Sequence, residues 1–208
     1  KKQSAIFNPL GVWDKKIVII WAGWVGSTSA YYIAQMWCNN ITIIDYDEVE
    51  LHNTASQFYK QSDIGKMKVE ALKENIRDFT GVEVTSINDK YNIDYIEWAD
   101  IVICAADDMD VRKQVITDCA ELDIDWVIES RMWWEFFYIY TLNPFTQKDK
   151  WMKTWYSNED AVPEDCTAKS ISYNTWAIGA TIAKFVKELL LWNPVIYGME
   201  SKHIVNIE

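Results

Sequence analysis

The chain has 208 residues, half of them hydrophobic and a quarter charged, with only 4 Pro. That is the composition of a globular domain, and it excludes a largely disordered or collagen-like chain. The 31 acidic against 20 basic residues give a net charge of −11, a balance unsuited to non-specific binding of nucleic acid or of an anionic membrane surface.

Residues 17–20 (Ile-Val-Ile-Ile) form a short apolar run suited to a buried parallel strand. A helix is predicted over 27–36 and a second strand over 41–44, ended by Asp45. The spacing of Val69, Leu72, Ile76 and Phe79 predicts a helix over 67–79. Strands over 82–85 and 101–104 follow, then a helix over 111–122, a strand over 126–128 and a β-rich run over 136–142. Residues 146–167 are polar and weakly patterned and read as a long loop; a strong helix spans 178–191, and 203–207 reads as a last strand. This alternation argues one doubly wound α/β domain over residues 1–208 with a mainly parallel, Rossmann-like sheet. Residues 15–145 form its nucleotide-binding core, 146–174 a crossover loop and 175–208 a C-terminal helix and strand.

The four cysteines, Cys38, Cys104, Cys119 and Cys166, lie far apart with no CxxC pair, so neither a structural zinc site nor a disulfide framework is expected. No charged segment followed by an apolar one opens the chain, and no apolar stretch reaches the roughly 18 residues of a membrane span. A cytoplasmic protein is expected.

After the first strand comes Trp21-Ala22-Gly23-Trp24-Val25-Gly26, opening a helix. A nucleotide-binding fold calls for G-x-G-x-x-G there: glycines allow a tight turn and let backbone N–H groups approach phosphate at the helix N-terminus. Gly23 and Gly26 fit, whereas Trp21 and Trp24 do not. Asp45 closes the second strand about twenty residues on, where an acid accepts ribose hydroxyls. Alone, this half-motif also reads as a tight turn with a capping Asp. Three further stretches sharpen it: Asp45-Tyr46-Asp47-Glu48-Val49-Glu50-Leu51-His52-Asn53, then Gln57 and Asp63-Ile64-Gly65-Lys66-Met67-Lys68, then Ala106-Asp107-Asp108 with Arg112.

Together these residues resemble the ThiF/MoeB/HesA family, the adenylating fold shared by sulfur-carrier activators and ubiquitin-activating enzymes. The resemblance runs from about Lys15 to Asn193. It implies an ATP- and Mg2+-dependent adenylyltransferase that activates the C-terminal carboxylate of a small ubiquitin-like or sulfur-carrier protein, commonly as a homodimer. Asp45 would hold the ribose, with Gly23, Trp24, Gly26, Asp47, Asn53, Gln57 and Asp108 lining the nucleotide. Lys68 would neutralise the triphosphate, and Asp107 would bind magnesium. Cys166, in the crossover region, is a candidate nucleophile for the activated acyl group, because a thiolate attacks acyl-adenylates readily. The chemistry is coherent on its own terms: acyl adenylation pushes a carboxylate onto a phosphate, so charge must be cancelled by a cation and a metal with a hard oxygen ligand.

Three departures stand out. Ser56 occupies the position where the family usually has Arg, and the CxxC zinc knuckle of many members is absent. The tryptophans are the larger departure. With 12 Trp and 7 Gly, the chain falls well short of the roughly 15 Gly of average usage. Trp21, Trp24, Trp37, Trp133, Trp134, Trp176 and Trp192 stand where the family pattern favours Gly, which points to an altered form of a natural sequence; a naturally Trp-rich protein is the other reading. Taken literally, the loop predicts weak or lost ATP binding. The runner-up function is therefore a catalytically impaired, protein-binding nucleotide-fold module, and an NAD-dependent oxidoreductase ranks last because it leaves Lys68 and Asp107 without a task.

Overall fold

The structure is a computed structural model, and it describes residues 6–12, 14–133, 136–160 and 171–191. The elements in chain order are β1 (Ile17–Ile20), α1 (Trp24–Gln35), β2 (Ile41–Ile44), α2 (Lys68–Thr80), β3 (Thr85–Ile87), β4 (Ile101–Cys104), α3 (Met109–Glu121), β5 (Trp126–Trp133), β6 (Phe136–Leu142), α4 (Pro144–Met152) and α5 (Ser172–Leu190), joined by short 3-10 turns. One six-stranded sheet has the order β3-β2-β1-β4-β5-β6. Every pair is parallel except β5 with β6.

The apolar runs read as strands because both faces of the sheet are covered. Ile17, Ile19, Ile43 and Ile103 face a core shared with Ile33 of α1, Leu72 of α2 and Ile182 of α5. Val18, Ile20, Val102 and Val127 face the other core, with Val115 and Ile116 of α3 and Trp151 of α4. The β-rich run at 136–142 is a core strand: Phe137 and Ile139 are fully buried.

The expected elements are present, with corrections. The predicted long loop holds α4, whose start is set by Asn143: its side chain accepts the Thr146 N–H, and Pro144 fills the first helical position. The helix α5 begins at Ser172, inside the predicted crossover loop. The third strand lies at Thr85–Ile87 rather than 82–85, and β5 runs five residues beyond its predicted end at 128. The predicted last strand lies outside the described residues, as do Trp134 and Trp192.

Two close approaches leave no room for a side chain. A Cβ on Gly26 would fall on the Trp21 carbonyl, which fixes the tight turn from β1 into α1. A Cβ on Gly179 would lie 2.5 Å from Thr28 Oγ1 and 2.7 Å from its Cβ, where α5 crosses α1. Among the described residues, four other than glycine have positive φ: Trp21 (73°), Trp37 (64°), Trp98 (65°) and Asp123 (53°). The remaining described tryptophans at family glycine positions do not require this conformation: Trp24 and Trp176 are helical and Trp133 is in β5. Trp176 packs edge-on against Tyr31, Tyr32 and Phe58.

The α1–α5 contact yields a direct test. Gly179→Ala should destabilise the domain by about 1–3 kcal/mol through overpacking against Thr28, read as a lower urea midpoint with an unchanged slope. A wild-type midpoint would show that the helices separate freely.

Candidate active site

The strand order reverses direction between β1 and β4, since the chain steps from β1 outward to β3 and then returns to the far side of β1. Ligands of open α/β sheets bind outside the carboxyl ends of the strands at such a point. Register places Ile20, Ile44 and Cys104 side by side at these ends. Asp45 therefore follows directly on one side of β1, and Asp107 lies a few residues past β4 on the other. The strands β2 and β4 lie about two spacings, roughly 10 Å, apart.

The turn after β1 is pinned from several directions. Trp21 N–H donates to the Ile44 carbonyl at 2.8 Å. Asp45 is buried, and its Oδ2 accepts the Ala22 N–H at 2.7 Å while its Oδ1 accepts the Asp47 N–H at 2.8 Å. The buried Tyr59 hydroxyl donates to the Ala22 carbonyl at 2.7 Å. Burial pushes the Asp45 carboxyl above its ordinary range, against the N–H of Asp47, the Lys68 charge and the N–H of Ala22. Burial likewise raises the Tyr59 hydroxyl, which keeps it a donor. At the start of α1, Gly23 occupies the N-cap position and no side chain caps the helix, so the N–H groups of its first turn face outward from the turn without a capping oxygen.

Lys68 opens α2. Its backbone N–H donates to the Asp47 carbonyl at 2.8 Å, and its Nζ pairs with Asp47 Oδ2 at 2.7 Å. The side chain is almost fully buried, whereas that of Asp47 is half exposed. An ammonium has three donors, so the pair leaves Lys68 able to hold a second anion. Asn53 is buried in a cap, its Oδ1 accepting the Glu50 N–H at 2.7 Å. Gln57 is buried as well, and its Oε1 has no hydrogen-bond partner among the described residues. A buried acceptor left in that state costs about 1–3 kcal/mol, a cost that a bound donor removes.

Asp107 is exposed, and Asp108 caps α3, accepting from the N–H groups of Asp110 and Val111. The Val111 N–H, then the Asn158 amide, hold the Asp108 carboxyl below its ordinary range. A cap role thus accounts for Asp108 without a ligand. Asn158 also accepts the Met109 N–H at 2.9 Å, and Trp155 Nε1 donates to the Met109 carbonyl at 2.8 Å. The segment after α4 therefore brackets the loop that carries Asp107.

Sequence reading missed these brackets, Tyr59, and a buried ion cluster behind the loop. Glu129 is fully buried on β5; it accepts from Arg112 of α3, from Arg131 Nε at 3.0 Å and from Trp151 Nε1 at 3.2 Å. Arg131 also donates to the Thr154 carbonyl at 2.8 Å. Arg112 and Trp151 lie 17 and 22 residues from Glu129, so no local spacing announces the cluster. The candidate nucleophile Cys166 lies outside the described residues. The other three cysteines are buried, with burial raising the thiols of Cys38 to about 12 and Cys104 to about 11. Among the described residues no cluster of three His, Cys, Asp or Glu could hold a metal ion, and no helix is long and apolar enough to cross a membrane.

Removing Glu129 leaves two guanidinium groups buried without their counter-charge. Glu129→Ala should cost about 3–5 kcal/mol, seen as a large drop in thermal midpoint; a loss under about 1 kcal/mol would mean that the cluster is solvated.

The ThiF family profile matches residues 12–194. Ubiquitin-like modifier-activating enzyme 5 of Aedes aegypti is 26% identical over 131 residues, covering 54% of this chain and 33% of that protein. The Bombyx mori enzyme of the same name is 24% identical over 143 residues, covering 61% and 36%. Among solved structures, E. coli MccB with AMPCPP and MccA superposes with a TM-score of 0.71 at 20% identity, over 88% of this chain and 59% of MccB. PaaA gives 0.68 at 16% identity, over 86% and 57%. The chain thus spans about a third of the length of these curated relatives, and the two structures share its fold. With a profile match over most of its length and a doubly wound sheet carrying Asp45, Lys68 and Asp107 at one edge, this chain belongs to the ThiF family.

Proposed function

We propose that this protein is an ATP-dependent adenylyltransferase that activates the terminal carboxylate of a small protein or peptide. The observation that carries the reading is the continuous chain of contacts from Ala22 through Asp45 and Asp47 to Lys68, which locks the phosphate turn and one ammonium into a single unit. The relatives named above are ubiquitin-like modifier-activating enzymes, and the MccB structure contains AMPCPP and MccA; a ubiquitin-like or sulfur-carrier protein is accordingly the substrate class we favour.

The donor set suits ATP and Mg2+. The uncapped first turn of α1 offers N–H groups to phosphate, and the partnerless Gln57 Oε1 can accept from a nucleotide hydroxyl or amine. Asp45 keeps lone pairs for the ribose beyond the two N–H groups it already accepts. A nucleotide-bound Mg2+ draws most of its ligands from phosphate and water and needs only one or two protein carboxylates; exposed Asp107 suits that role, and the absence of a larger carboxylate cage among the described residues is compatible with it. When bound, the ion offsets the charge of the triphosphate.

In the reaction, an oxygen of the substrate carboxylate forms a bond to the α-phosphorus. The bond from that phosphorus to the bridging oxygen breaks, and pyrophosphate leaves with the electron pair, giving the acyl-adenylate. Lys68 stabilises the charge that develops on the transferring phosphoryl group. It is held for this by its own helix N-terminus and by Asp47, so little reorganisation is needed as charge builds. With Ser56 at the family's arginine position, Lys68 bears more of that task. Acceptance of the adenylate by Cys166 belongs to the same proposal as its second step, by thiolate attack at the acyl carbon with loss of AMP.

The indoles at 21 and 24 favour one alternative, a catalytically impaired module that binds a protein through the same fold. ATP–pyrophosphate exchange with candidate carrier proteins ending in Gly-Gly separates the two. Exchange is expected from the chain carrying Trp21→Gly and Trp24→Gly and should be much weaker from the chain with both tryptophans. In the exchanging form, Lys68→Ala should lower kcat about 10²–10³-fold, the loss typical of one preorganised charge-stabilising donor, with its fold intact by circular dichroism. Absence of exchange from the glycine form with every carrier would leave the binding-module reading.

A further inference from the structure

We infer that positions 21, 37 and 98 are glycine in the polypeptide that the source cells make. Left-handed backbone at a bulky residue is a genuine outlier, because the Cβ crowds the following carbonyl. Of the four such non-glycine positions among the described residues, three are tryptophan and the fourth is Asp123, a type that tolerates this conformation.

Each site is one that turn chemistry gives to glycine. Trp37 follows Met36, the C-cap of α1, and donates its N–H to the Ala34 carbonyl at 2.8 Å. The helix α2 also ends on a left-handed residue, Gly81 at φ 76°, its N–H on the Arg77 carbonyl at 2.9 Å. Two helices of one molecule thus terminate on a left-handed residue, and one of them uses the residue type that suits it. Trp98 is the third residue of a turn closed by Ala99 N–H on the Ile96 carbonyl at 3.0 Å, where positive φ calls for glycine. Trp21 forms the turn whose carbonyl presses on Gly26.

Packing offers no compensation at two of the three. Trp98 is 87% exposed and Trp37 is 55% exposed, so these indoles bear backbone strain while burying little surface. The overall ledger agrees: the chain has more tryptophan than glycine, 12 against 7. A single codon that the source cells decode as glycine accounts for all three positions together.

The inference stands on backbone conformation and is independent of adenylation. Positions 37 and 98 precede β2 and β4, at the opposite end of the sheet from the candidate site, so Trp37→Gly with Trp98→Gly should leave the site chemistry alone. That double variant should melt higher than the chain with tryptophan at both, by roughly 2–4 °C per position; if the tryptophan chain does not fold, a folded double variant is the same result. An equal or lower midpoint would overturn the inference. The decisive measurement is peptide mass spectrometry of the protein from its source cells: peptides covering 21, 37 and 98 with glycine mass are expected, and tryptophan mass at these positions would overturn it. A higher midpoint here, together with no pyrophosphate exchange from the chain carrying Trp21→Gly and Trp24→Gly, would count against the adenylation reading and leave this one standing.

Discussion

The carboxylate of Asp45 is the constraint on which the rest of the edge depends. It ends β2, yet both of its oxygens are committed to backbone N–H groups of other segments, Ala22 on one side and Asp47 on the other. One side chain therefore joins the turn after β1 to the loop after β2. Because the group is buried, these bonds are made where water competes poorly and where leaving them unmade is costly. Tyr59 closes the arrangement by holding the other end of the Ala22 peptide. A turn fixed at both its N–H and its carbonyl has little freedom to close on or retreat from a ligand.

Charge is organised in two tiers behind this edge. In front, Lys68 and Asp47 form a pair with one buried and one half-exposed partner, so the ammonium is desolvated enough to matter and still reachable through Asp47. Behind, Glu129 collects Arg112, Arg131 and Trp151 in the interior, tying α3, β5 and α4 together. The first turn of α3 is thereby held from within by Arg112 and from outside by Asn158 and Trp155. In a chain of net charge −11, cations are few, and the fold spends three of them where loops must be held still.

Residue order made much of this legible. The runs at 17–20, 41–44 and 101–104 announce strands because helices cover both faces of the sheet, which leaves no polar alternation to confuse the reading. The strand β3 sits at the sheet edge with partly exposed residues, and its register slipped in the prediction for that reason. Most of α4 is polar and solvent-facing, so only its Asn143-Pro144 start carries a signal. Asp45 and Lys68 could be found because their roles are tied to fixed offsets from a strand end and a helix start. Tyr59, Glu129 and Asn158 could not, since each works through partners far away along the chain. Trp98 escaped notice because a left-handed turn position is visible in a sequence mainly through its glycine.

The parallel pairing of β1 with β4 has a kinetic meaning. Ile17 lies beside Ile101, so the chain must close a loop containing two strands and two helices before these edges meet. Contacts of such high sequence separation form late and slowly compared with local ones such as β5 with β6. The candidate site lies across this seam, so no fragment and no half-assembled chain can carry it. The binding edge comes into being only with the whole sheet.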